Sequence, residues 1–211
     1  MILKIIKPFI PPVGLTIIRK LRKRQPKPIL FDGNNLLFKK IVGDSIVYGE
    51  YGCGYSTVWT AENTKATIYS VDTSQYWIEK TKSQLPVNRV DFTWVDCGVL
   101  ENFGRPINYE RRHQFAVYAN ALWSCEKKPD CVLIDGRFRV LCFLTSLKHA
   151  TEGTKIIFDD YVNRPHYQIV EEILPKVDND GRQSLFIVPS KSQINSLLLN
   201  QLIEKFEYVM D

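Results

Sequence analysis

Histidine is scarce in this chain: there are three in 211 residues, alongside five cysteines that form no C-x-x-C pair. Cys53, Cys97, Cys125, Cys131 and Cys142 are scattered and odd in number. That pattern argues against a disulfide framework and a zinc site, and it fits reduced thiols in a cytosolic protein. No apolar run reaches the roughly 20 residues that a spanning helix needs. The early apolar residues are broken by Lys7, Pro8, Pro11 and Pro12, and the small-residue cleavage site of a signal peptide is missing. Neither an internal repeat nor a low-complexity tract is present.

Acids are missing from the start of the chain. Eight cations (Lys4, Lys7, Arg19, Lys20, Arg22, Lys23, Arg24 and Lys27) precede the first acid, Asp32. The net charge is +5, so the remainder carries −3. A mildly acidic body argues against a nucleic-acid-binding protein, which would spread positive charge over a face. Residues 1–31 read as a basic amphipathic leader and residues 32–211 as one domain, a length ample for a full core. Two short amphipathic pieces within 1–27 would suit an anionic membrane surface, the inner face in a cytoplasmic protein. Packing on the domain, or on a second copy in a homodimer, is the alternative.

Strand and helix signals alternate through the body. Apolar or β-branched runs at 45–48, 66–72, 90–96, 130–135, 154–158 and 184–188 predict strands. Helical spacing is read after residue 73, over 114–123, 140–150 and 167–174, and from Ile194 to Phe206. The alternation predicts a three-layer α/β sandwich on a mostly parallel, doubly wound sheet. The long connection 97–128 has the length of a lid or substrate wall, with Tyr109, His113 and Tyr118 as candidate lining.

The first strand runs into Glu50-Tyr51-Gly52-Cys53-Gly54-Tyr55-Ser56-Thr57. Glycines there permit a sharp turn and let a ligand approach main-chain amides. A dinucleotide loop would need a third glycine where Thr57 stands, and Glu50 would repel a pyrophosphate. An acid at that point suits a ligand with a cationic end and no phosphate. The second and third strands also end in acids, Asp72 and Asp96, so carboxylates line one sheet edge. Asp72 has a second reading, as a cap for the next helix.

This stretch resembles motif I of the class I S-adenosylmethionine (SAM)-dependent methyltransferases. The resemblance spans about residues 45–188. It implies SAM as methyl donor, with Glu50, Gly52, Gly54, Ser56, Asp72 and Asp96 around it, Asp72 at the ribose and Asp96 at the adenine amine. The fourth and fifth strands end in Asp135-Gly136 and Asp159-Asp160-Tyr161. Clustered carboxylates with few histidines suit a hard cation such as Mg²⁺. These motifs resemble metal-dependent O-methyltransferases, including those acting on macrolide sugars. The resemblance implies that Asp135, Asp159 and Asp160 hold the ion against the acceptor's hydroxyls. Helix capping, or ion pairing of Asp135 with Arg137 or Arg139, is the other reading of these acids. The sugar enzymes' histidine base is replaced by the region of Phe138. His166 is therefore the expected base beside Asp135, with His113 as second choice. Arg137, Arg139 and Tyr161 are assigned to a small-molecule or glycan acceptor. Two rivals stand: a nucleotide- or NAD-binding oxidoreductase, and a non-catalytic adaptor that keeps the fold.

Overall fold

Along β1 (Val47–Tyr51) the side chains alternate between two apolar layers, Val47 and Tyr51 facing one and Tyr48 the other. The computed structural model describes residues 29–86 and 89–211 and builds the sheet outward from this strand. The other strands are β2 (Thr67–Asp72), β3 (Val90–Trp94), β4 (Cys131–Ile134), β5 (Lys155–Phe158), β6 (Asp178–Asp180) and β7 (Gln183–Ile187). Their order is β3-β2-β1-β4-β5-β7-β6. β1 to β5 are mutually parallel, and β7 runs antiparallel to both neighbours. The chain leaves β1 toward one edge and returns to β4 toward the other. This reversal opens a crevice at the carboxyl ends of β1 and β4.

Helices cover both faces because the central strands are apolar on both. On one side lie α1 (Leu36–Gly43) and α2 (Tyr55–Asn63), with α3 (Gln75–Lys82) beside α2 against β2 and β3. α1 turns Leu37, Phe38, Ile41 and Val42 inward at helical spacing. Its first amides, of Leu36 and Leu37, donate to the Asp180 carboxylate at 3.0 and 3.1 Å. The opposite layer holds α4 (His113–Ala121), α5 (Arg139–His149) and α6 (Ser196–Phe206). No helix among the described residues is long and apolar enough to cross a membrane.

Several boundaries differ from those read in the sequence. β1 starts at Val47 and takes in Glu50, where the strand was expected to stop at Tyr48. Ile46 is exposed, and its amide is taken by the Asp130 carboxylate at 2.9 Å. The expected turn at 178–181 contains the short edge strand β6, and the expected helix over 167–174 is the 3₁₀ stretch Pro165–Glu172. Leu30 and Phe31, expected at the end of the leader, are buried with α1. The rest of the proposed leader, through residue 28, lies outside the described residues.

Candidate active site

A groove of about 530 Å³ runs along the carboxyl edge of the sheet, from the glycine loop after β1 to the ends of β4 and β5. Gly52 turns the chain with φ +90°, and a Cβ there would lie 2.8 Å from the Gly136 backbone. Only glycine meets both demands. Gly54 is different: its φ of 172° is ordinary extended backbone, and a Cβ there would meet nothing within 4 Å. The protein's own packing does not require a glycine at that position, which lines the groove.

Glu50 lies beneath the loop, fully buried, and is not among the groove-lining residues. Its carboxylate accepts hydrogen bonds from Tyr48 Oη at 3.0 Å, Ser56 Oγ at 2.9 Å and Thr57 Oγ1. Thr57 Oγ1 in turn accepts from the Gly54 amide at 2.9 Å. Burial raises the Glu50 pKa to about 7, and these hydroxyl donors oppose the rise. The expected direct contact between Glu50 and a ligand is therefore corrected: this acid braces the loop from below.

Asp72 does line the groove. One oxygen accepts from the Cys53 amide at 2.9 Å and the other from the Ser74 amide at 2.7 Å. It thus ties the glycine loop to the segment that leads into α3; the cap of that helix is Ser74, whose Oγ accepts from the Trp77 amide at 3.4 Å, so the capping reading of Asp72 is not met. Burial raises its pKa, and the two amides pull it back. Trp77 and the exposed Phe103 line the same end. Asp96 does not: it pairs with Arg111 and accepts from the Gly98 amide at 3.0 Å. The three acids do stand at the carboxyl ends of adjacent parallel strands, but of the three only Asp72 lines the groove.

At the other end, one oxygen from each of Asp135, Asp159 and Asp160 falls within 4.8 Å of the others. The chain brings this trio together as expected, but guanidinium groups already occupy it. Arg139, 3% exposed, projects from the first turn of α5. Its Nε donates to Gly136 O at 3.0 Å, and its Nη1 to Asp159 O at 2.8 Å and Asp160 Oδ2 at 3.2 Å. Its Nη2 donates to Asp135 O at 3.3 Å and Asp135 Oδ1 at 3.1 Å. All five N–H groups of the side chain are thereby used. Arg182 clamps both oxygens of buried Asp159, Nε at 3.0 Å from Oδ1, and Gln183 Nε2 adds a bond at 3.0 Å. Arg164 Nη2 stands 2.9 Å from Asp160 Oδ2.

A resident divalent ion does not fit this arrangement. The Asp159 oxygens it would need are held by Arg182 and Gln183, and three guanidinium charges balance the acids. The second reading of the acids, ion pairing with Arg139, is the one found. Asp135 keeps an opening to the groove, with 29% of its side chain exposed. Burial, then the Asp159 charge, holds its carboxyl well above the usual carboxylate range, against the pull of Arg139.

Other expected site residues lie elsewhere. His166 is exposed, its ring against Tyr167 with centroids 4.3 Å apart, and His113 is exposed at the start of α4; neither lines the groove. Tyr161 is buried and donates to Glu171 Oε1 at 2.8 Å, outside the groove. Arg139 reaches the groove wall with no donor left to clamp an acceptor, whereas Arg137 and Ser56 line it. Arg182, Arg164, Trp77 and Phe103 were missed by the sequence reading. Arg182 comes from the β6–β7 hairpin, far along the chain from its partners, and no local pattern announces it.

The sheet order and the glycine loop at the β1–β4 crevice define the class I methyltransferase fold. The chain belongs to the class I SAM-dependent methyltransferases. It is 30% identical to a methyltransferase-like protein of Silicibacter pomeroyi, with a TM-score of 0.74 over 88% of this chain and 97% of that one. More distant solved structures share the fold. The N-methyltransferase NodS of Bradyrhizobium japonicum, in complex with S-adenosyl-L-homocysteine, is 12% identical with a TM-score of 0.54, covering 83% of this chain and 98% of that one. A putative O-methyltransferase of Klebsiella pneumoniae is 17% identical with a TM-score of 0.51, covering 89% and 95%. No protein-family model and no curated protein matches the chain.

Proposed function

We propose that this protein binds SAM in the groove and methylates a hydroxyl group of a small molecule, a sugar or glycan precursor being the favoured class. The observation that carries this reading is the continuity of the groove. Gly52, Gly54 and Asp72 stand at one end and the Asp135 carboxyl at the other. The donor would lie over the glycine loop, where bare Gly54 leaves room. Its ribose hydroxyls would meet Asp72, whose oxygens each have a lone pair beyond their single amide bond.

In the reaction the acceptor oxygen attacks the donor methyl carbon in line with the sulfur. The C–S bond breaks, its electron pair stays on sulfur, and the hydroxyl proton is released. Asp135 takes that proton, replacing His166 in the role expected from the sequence. The raised pKa makes it a stronger base than a free carboxylate, and Arg139 fixes its orientation. Alignment of the two reactants supplies much of the acceleration.

An NAD- or nucleotide-binding oxidoreductase would want the missing third glycine. Calorimetric titration with SAM, S-adenosyl-L-homocysteine and NAD tests the choice: micromolar binding of the adenosyl compounds and none of NAD supports the donor reading, and the reverse sinks it. The adaptor reading gains if Asp135→Asn leaves the biological role intact. For residues 1–27 we propose an anionic membrane surface at the inner face, on charge alone. Co-sedimentation with phosphatidylglycerol vesicles, lost at high salt, is the expected result; retention of a soluble dimer instead would favour packing between copies.

A further inference from the structure

The arginines around the groove are not equivalent. Arg139 and Arg182 have their donors committed to Asp135, Asp159, Asp160, Asp32 and main-chain carbonyls, and Arg164 is paired with Asp160. Arg137 also lines the groove and is half-buried. Among the described residues its guanidinium has no ion pair and no hydrogen bond. The backbone beneath it is fixed: its amide donates to Tyr118 Oη at 3.5 Å, and its carbonyl accepts from Cys142 Sγ at 3.4 Å. A half-buried, unpaired guanidinium costs stability unless something binds to it.

Its position selects the partner. Arg137 follows Gly136, whose backbone abuts Gly52, so the side chain leaves the chain beside the glycine loop. Its charge acts on Asp72 across that loop, although burial dominates there. Around the loop the other lining groups, Cys53, Gly54, Tyr55 and Ser56, are neutral, and Asp72 is an acid. A ligand carboxylate placed there would meet only repulsion if Arg137 were absent.

We propose that Arg137 is the specificity residue for the amino-acid end of the donor, pairing its guanidinium with the α-carboxylate. A planar fork matches a carboxylate with two parallel hydrogen bonds. The assignment rests on the donor reading above and takes Arg137 away from the acceptor.

The test compares S-adenosyl-L-homocysteine with its decarboxylated analogue, which keeps adenosine, sulfur and amine, by calorimetry on the full chain. Wild type prefers the carboxylate-bearing ligand by about 10- to 100-fold, the range of a charge-assisted pair. Arg137→Gln erases that preference and leaves affinity for the analogue near the wild-type value; Arg137→Lys falls between. Since the side chain makes no bond within the body and its unpaired charge is a cost there, Arg137→Gln melts at or above the wild-type temperature. If Arg137→Gln keeps the preference, or if wild type never shows one, the assignment is overturned while the donor reading survives. If wild type binds neither adenosyl compound, both fall together. An acceptor role would appear as unchanged affinity for S-adenosyl-L-homocysteine with a raised acceptor KM, and that result also overturns the assignment.

Discussion

Arg139 Nη2 stands 3.1 Å from Asp135 Oδ1 while the same guanidinium reaches Asp160 Oδ2 at 3.2 Å, so one buried side chain holds the ends of β4 and β5 together. Removing one partner of such a pair leaves uncompensated charge in a poorly solvated place. Arg139→Met is expected to lower the unfolding free energy by about 3 kcal/mol, measured by urea denaturation near neutral pH. Arg139→Lys should lose nearly as much, because an ammonium cannot serve five acceptors at once.

The same arginines govern metal dependence. Dialysis against a chelator should leave donor affinity and turnover unchanged, and titration with Mn²⁺ or Mg²⁺ should release no stoichiometric heat. A one-to-one metal complex abolished by Asp159→Asn would show that the guanidinium groups yield to a cation.

The two glycines should separate by experiment. Gly52→Ala forces a Cβ into the Gly136 backbone at φ +90°, and a loss of about 2 kcal/mol or more, together with donor affinity, is expected. Gly54→Ala meets open space, so thermal stability should stay within about 0.5 kcal/mol of wild type. Affinity for S-adenosyl-L-homocysteine should nonetheless fall, since the new methyl projects into the groove where the donor is proposed to lie.

Glu50 gives the fold a pH dependence with a defined sign. The unfolded chain releases this proton near 4.5 and the folded protein near 7, so the folded state binds more protons between those values. Stability contributed by this group is full below 4.5 and declines as pH rises to about 7, by a few kcal/mol at most. Glu50→Gln should flatten the decline. Denaturation curves of both proteins from pH 5 to 8 check this; parallel slopes would show that the carboxyl is ionised throughout.

Asp135→Asn should cut turnover by about 100-fold or more while leaving donor affinity within a factor of about three. Wild-type turnover should rise with pH through a pKa above the usual carboxylate range, because only the ionised carboxyl accepts the proton.

The sequence revealed what repeats locally. Strand–helix alternation, the glycine turn and the acids at the ends of β2, β4 and β5 follow from short-range patterns, and the sheet of parallel strands was legible in them. What decides the role of each acid is which side chain meets it in the folded protein. Glu50 is drawn under the loop by hydroxyls six and seven residues later, Asp96 is taken by Arg111, and Asp159 by Arg182 across the β5–β7 pair. A carboxylate looks the same in a string whether a guanidinium or a metal answers it. His166 was misplaced for a similar reason: nearness in sequence to the acids did not make it face them.

The backbone contact between Gly52 and Gly136 joins halves of the polypeptide that emerge from the ribosome far apart in time. Without β4 the proposed donor groove lacks Asp135, Gly136 and Arg137, so an amino-terminal fragment that ends before β4 is expected to bind no adenosyl ligand. A fluorescent adenosyl probe added during refolding is then expected to brighten only once β4 has joined β1.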